Sequence, residues 1–221
     1  MEKQKKEKQE KLLSPDSTFM YLMTKAGQII ILNILWFLSC IPVVTIGTAT
    51  TSLYYAMVKN IRRNRSYPTT EYFSSFKRTL GSGSILTVGS LLWLFLLYYL
   101  RMTALTTESE TGVFLGRIYL ALMLVTVAVL VYLFPVLSRF TMKLTEMIKL
   151  SFVMAVRYMG FTVIILAGTA LLIWLMFYYL PMPVIFILPG LWCYVCTFMI
   201  EKALRKYMPA PSGNEDEWYY E

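Results

Sequence analysis

Residues 158–200 read YMGFTVIILAGTALLIWLMFYYLPMPVIFILPGLWCYVCTFMI, 43 positions without one Asp, Glu, Lys or Arg. At 1.5 Å per residue, a single helix of this length would run about 65 Å. That is about twice the 30 Å hydrocarbon core that some 20 apolar residues cross. Pro181-Met182-Pro183 stands near the middle, where a tight turn between two helices belongs. The stretch therefore predicts two membrane crossings, at 157–180 and 184–204.

Three further stretches lack charge: 26–58, 79–100 and 118–138. The last two make one crossing each, about 80–101 and 117–138, joined by the polar segment 101–117. The first is too long for one span. Ser14-Pro15-Asp16 reads as a helix start, and Pro42 and Gly47 interrupt the run with Val43-Val44-Thr45-Ile46 between them. A helical hairpin with its turn at Pro42–Gly47 gives crossings near 17–41 and 47–63; a re-entrant hairpin is the competing arrangement. The expected fold class is an all-α membrane protein with six transmembrane helices in three hairpins, plus short amphipathic cytoplasmic helices. Residues 1–13 form a basic cytoplasmic tail, 14–208 one helical membrane domain, and 209–221 a polar, acidic cytoplasmic tail.

Composition agrees. Hydrophobic residues make up 57% of the chain and charged residues 15%, against about 45–50% and about 25% in soluble domains. The lysine-rich start followed by an apolar run resembles a signal peptide, but no small-residue cleavage site follows, so the first helix is expected to stay.

Charge sets the orientation. With six crossings, segments 1–25, 59–78, 139–157 and 201–221 share one side and hold all the Lys and Arg except Arg101 and Arg117. By the positive-inside rule that side, with both termini, is cytoplasmic. The net charge of +8 then addresses lipid headgroups, and no nucleic-acid-binding signature accompanies it.

Several chemistries lose their usual carriers. There is no histidine, the commonest general base and metal ligand, and no Walker sequence. Cys40, Cys193 and Cys196 all lie in apolar stretches; the CxxC pair has neither zinc partners nor a redox loop there. The inferred crossings hold no ionisable residue at depth, although pumps and intramembrane acid–base enzymes retain one. Asn33 is the amide well inside a crossing and suits interhelical hydrogen bonding. No enzyme activity, cofactor or metal is expected.

Two segments are functional candidates. In the first, Thr45, Gly47, Thr48, Thr51 and Tyr54 crowd hydroxyls and a helix breaker into membrane depth. They could line a polar path for a solute such as a sugar, or bond back to their own helix and across to neighbours. In the second, Thr69 or Thr70 could cap a helix that places Phe73 and Phe76 on one face, with Lys77 and Arg78 at the interface. With Arg62, Arg63 and Arg65 this makes a basic, aromatic surface for anionic lipid or a partner protein. The chain also matches itself at a shift of 80 residues: Leu91-Leu92 and Tyr98-Tyr99 reappear as Leu171-Leu172 and Tyr178-Tyr179. This suggests parallel repeated hairpins, an architecture found in transporters and equally in structural bundles.

Pro42-x-x-Thr45-x-Gly47, then Leu53-Tyr54-Tyr55, then Phe73-x-x-Phe76-Lys77 resembles the YesL family of small bacterial membrane proteins. The resemblance is specific over about 25–80. Members of that family tend to be encoded beside ABC importers and carbohydrate-processing enzymes in Gram-positive bacteria. It therefore implies a helper role in sugar uptake or its regulation, with importer permease subunits as partners. It carries over no catalytic or binding residue.

Overall fold

The computed structural model describes residues 18–62, 67–106, 109–178 and 188–208, with no strand among them. In chain order the elements are α1 (Thr18–Cys40), a 3-10 turn (Val43–Thr45), α2 (Ile46–Ala56) with a π-helical continuation (Met57–Arg62), α3 (Pro68–Leu105), α4 (Glu110–Arg139), α5 (Leu144–Arg157), α6 (Met159–Tyr178) and α7 (Leu188–Leu204). Met23–Cys40, Pro68–Leu105, Glu110–Arg139 and Met159–Met176 are long and apolar enough to cross a membrane. This agrees with a multi-pass membrane protein. The other two elements counted as crossings, α2 and α7, are 11 and 17 residues long.

The shortest of these helices sits at the centre. Leu53 and Met57 of α2 and its continuation pack with Ile29 and Leu32 of α1 and Tyr72 of α3. Tyr54 and Val58, on the other side, pack with Tyr132 and Val136 of α4, Met154 of α5 and Leu204 of α7. A helix that feeds two cores must be buried nearly all round, and eight of the eleven α2 residues are.

Contacts fix how the neighbours run. Lys25 donates to the Asn60 carbonyl at 3.0 Å, Trp36 Nε1 to Thr50 at 3.3 Å and Thr45 to the Ser39 carbonyl at 2.6 Å. Falling partners on α1 thus meet rising partners on α2, so the two lie antiparallel. In the same way Arg78 reaches the Ser138 carbonyl at 3.4 Å, while Gly116 lies under Leu105. These two contacts lay α4 back along α3.

Four local expectations change. The connection after α1 ends at Thr45, and Gly47 lies in the first turn of α2. Its role is close approach, because a Cβ there would run into Thr87 and Phe134. Helix α3 starts two or three residues earlier than a Thr69 or Thr70 cap would place it. Tyr67 is the N-cap, extended and without a side-chain hydrogen bond, and Pro68 follows. Proline forces its predecessor out of the helical region and brings no amide donor needing a cap. The amphipathic segment and the crossing after it are one 38-residue helix. At the position 80 residues on from Arg78 the chain instead breaks: Tyr158 takes φ −109° and ψ 40° between α5 and α6. Thr162 holds the break by donating to the Tyr158 and Ala155 carbonyls, 3.1 Å each. The two regions related by the sequence repeat therefore differ in shape.

Candidate functional site

The hydroxyl-rich stretch is a packing seam. Thr50, Thr51 and Ser52 each donate to the carbonyl four residues back, at 2.8 Å. Thr45 bonds the Ser39 and Pro42 carbonyls. Across the seam, Thr87 of α3 donates to the Gly83 carbonyl at 2.6 Å and accepts from the Gly47 amide at 3.1 Å. A Cβ on Gly83 would lie 2.5 Å from Thr48 Oγ1 and 3.1 Å from its Cα. Gly47, Thr48 and Thr51 are buried with Gly83 and Thr87. This is how membrane helices approach closely: small residues let the backbones touch, and hydroxyls return to their own backbone. Thr48 Oγ1 is the exception, buried without a hydrogen-bond partner.

Tyr54, one turn beyond Thr51, belongs to a different constellation. Its hydroxyl donates to Glu201 Oε1 on α7 at 2.7 Å, and Arg139 at the end of α4 donates to the same oxygen at 2.8 Å. The Arg139 and Glu201 side chains are 3% and 0% exposed, and Glu201 Oε2 is buried with no hydrogen-bond partner. Three helices converge on one carboxylate. Glu201 falls in the last turn of the expected crossing 184–204, where an ionisable group buried in the protein was not foreseen. The uncharged run ends at Ile200, one residue before it, and the partners are 62 positions apart. A buried Arg and Glu tolerate each other only as a pair.

The basic residues near the α2 continuation are also largely engaged inside the molecule. Arg62 donates to the Thr197 carbonyl at 3.3 Å and lies 4.5 Å from the Phe198 ring centre. Arg78, besides its bond to Ser138, lies over Tyr55 at 5.0 Å. Lys59 pairs with Glu71 at 2.9 Å and lies 5.5 Å from the Tyr55 ring centre. Helix C-termini leave carbonyls unpaired, and Arg78 closes such an end at Ser138, while Arg62 and Lys59 tie the α2 continuation to α7 and α3. Lys77 is exposed. Phe73 and Phe76 part company: Phe73 is 48% exposed, whereas Phe76 stacks on buried Tyr72 at 6.2 Å. Arg63 and Arg65 lie outside the described residues, as do Pro181–Pro183 and both tails.

Asn33 is fully buried against α7, where a Cβ on Gly190 would sit 2.6 Å from Asn33 Oδ1. Trp192 fits over Gly168 and donates to Thr169 at 3.0 Å. Trp36 and Trp192 thus tie helices together, while Trp93 and Trp174 are each 49% exposed. Among the described residues, no group of three or more His, Cys, Asp or Glu side chains is placed to hold a metal. A groove of about 520 Å³ runs between α3, α4 and α5, lined by residues including Leu86, Trp93, Val129 and Phe152.

A family model described as "Protein of unknown function, DUF624" matches residues 29–99. That third of the chain takes in most of α1, all of α2 and α3 as far as Tyr99. It includes every residue on which the YesL resemblance rests. No curated protein and no solved structure matches.

Proposed function

We propose that this protein is a non-enzymatic integral membrane accessory subunit that assists or regulates an ABC-type carbohydrate importer. In this reading the chain crosses six times as three hairpins, with both termini cytoplasmic. Residues 46–62 and Leu188–Leu204 supply the two short crossings, at the low end of the length that spans a bilayer. The observation that carries the reading is the sealed seam of Gly47, Thr48, Thr51 and Thr87: all four are buried, and the Thr51 and Thr87 hydroxyls are spent on helix packing. A chain that seals its most polar helix suits a scaffold better than a conduit. The sugar importer as partner comes from the family resemblance alone. Purification from native membranes tests it. Permease subunits should accompany the protein; recovery of the protein alone, with sugar uptake unchanged after its deletion, would discard the proposal.

A second reading, a stand-alone pore or carrier for a neutral solute such as a sugar, draws on one observation. The buried Arg139–Glu201 pair with Tyr54 stands where two uncharged runs end, and buried ionisable groups beside membrane crossings are a feature that transport proteins use. Sugar flux into liposomes containing only this chain would favour it, and impermeable vesicles would remove it.

A further inference from the structure

We propose that the groove between α3, α4 and α5 binds one anionic phospholipid, with an acyl chain lying along the groove and the phosphate held beside Lys149. The groove's walls are Ile85–Trp93 of α3, Val125–Leu133 of α4 and the Leu144, Thr145, Ile148 and Phe152 side of α5. The α3 and α4 portions belong to the uncharged runs 79–100 and 118–138, so the occupant lies at bilayer depth.

The chemistry of the lining selects an apolar occupant. Ser90 and Thr126 are the hydroxyl residues on the α3 and α4 walls. Ser90 donates to the Thr87 carbonyl at 2.9 Å and Thr126 to the Leu122 carbonyl at 2.8 Å. Both are turned back on their own helices, leaving aliphatic and aromatic surface for the occupant. Size argues for a narrow chain. A helix about 10 Å across takes up about 420 Å³ for every 5.4 Å turn, so 520 Å³ would admit little more than one turn of a partner helix.

Charge then selects the headgroup. Lys149 is exposed on α5, four residues after Thr145 and three before Phe152, spacings that put neighbours on one helix face. Exposed Lys143 directly precedes Leu144, the first α5 residue of the wall. Apolar walls bordered by two lysines complement a molecule with a hydrocarbon tail and a negative head.

Gly89 provides the test, because it lines the groove and a Cβ there would meet no atom within 4 Å. Gly81, on the same helix but outside the lining, is equally open and serves as control. The detergent-purified protein is equilibrated with equimolar phosphatidylglycerol and phosphatidylcholine, and retained lipid is read by native mass spectrometry. The full chain should keep one phosphatidylglycerol. G89F should lower that fraction at least five-fold with an unchanged melting temperature, while G81F leaves it intact. K143Q/K149Q should retain lipid but bind the two headgroups equally. Retention undiminished in G89F, or equal loss in G81F, would mean annular lipid only and overturn the proposal. Loss of a dimer mass in G89F would instead assign the groove to a second copy, with the same consequence.

Discussion

Helices α4 and α6 pose the same problem in hydropathy and solve it differently. Both are strongly apolar, yet α4 buries a larger share of its residues than α6 does. The most enclosed element, α2, is the one richest in hydroxyls. Lipid is as apolar as leucine, so apolarity does not drive one membrane helix against another. What brings α2 against α3 and α4 is small residues and polar bonds: Gly47, Thr48, Gly83 and Thr87. Helix α6 is anchored at a few points, chiefly Trp192 over Gly168 and Tyr132 to Thr162 at 3.1 Å. The comparison teaches that burial in this chain follows small and hydroxylated residues, with long apolar runs left to face the bilayer.

The largest effect should come from the joint between the two regions. Glu201→Ala removes the carboxylate paired with the buried Arg139 side chain, and breaking such a pair costs about 3–5 kcal/mol. Denaturant unfolding in micelles should register that drop, and Arg139→Met combined with Glu201→Leu should recover most of it. An unaltered midpoint for the single variant would mean that the pair does not hold α7 in place. Next comes the seam. Gly47→Ala pushes a methyl into Thr87 and Phe134, and overpacking typically costs about 1–3 kcal/mol. Gly27→Ala, where a Cβ meets nothing within 4 Å, should instead gain about 0.5–1 kcal/mol. Equal responses at Gly47 and Gly27 would erase the distinction between seam and lipid face. The smallest effect belongs to α6: Trp192→Phe removes the bond to Thr169, worth about 0.5–1.5 kcal/mol. A much larger loss would show α6 to be held as tightly as α2.

The sequence carried the architecture further than the site. Stretches free of charge place α1, α3, α4 and α6, and Pro42 marks the end of α1. A continuous α3 was not legible, because the charge boundary at Lys77-Arg78 looks like the end of an element when it is only a change of solvent along one helix. The break at Tyr158 has no glycine or proline to announce it. Pro135 within α4 ends nothing. The second reading weighed for Thr48, Thr51 and their neighbours, that hydroxyls bond back to their helix, describes Thr51 as found. Position in a pattern could not choose between that and a solute path, since both require small polar residues near Gly47. The Tyr54–Arg139–Glu201 constellation was invisible because it joins helix ends distant in the chain. One signal existed: Arg139 and Glu201 each border a long uncharged run at what the charge pattern makes the same membrane face, and opposite charges there are candidates for pairing.

Thiol accessibility tests the sealed seam most directly. With Cys40, Cys193 and Cys196 replaced by alanine, Thr48→Cys and Thr51→Cys are challenged in intact membranes with a small impermeant thiol reagent, beside a cysteine at exposed Lys77 as positive control in inside-out vesicles. The account predicts labelling at 77 and none at 48 or 51 from either side. Rapid labelling of 48 and 51 in a folded protein would mean that water reaches the seam, and would contradict it.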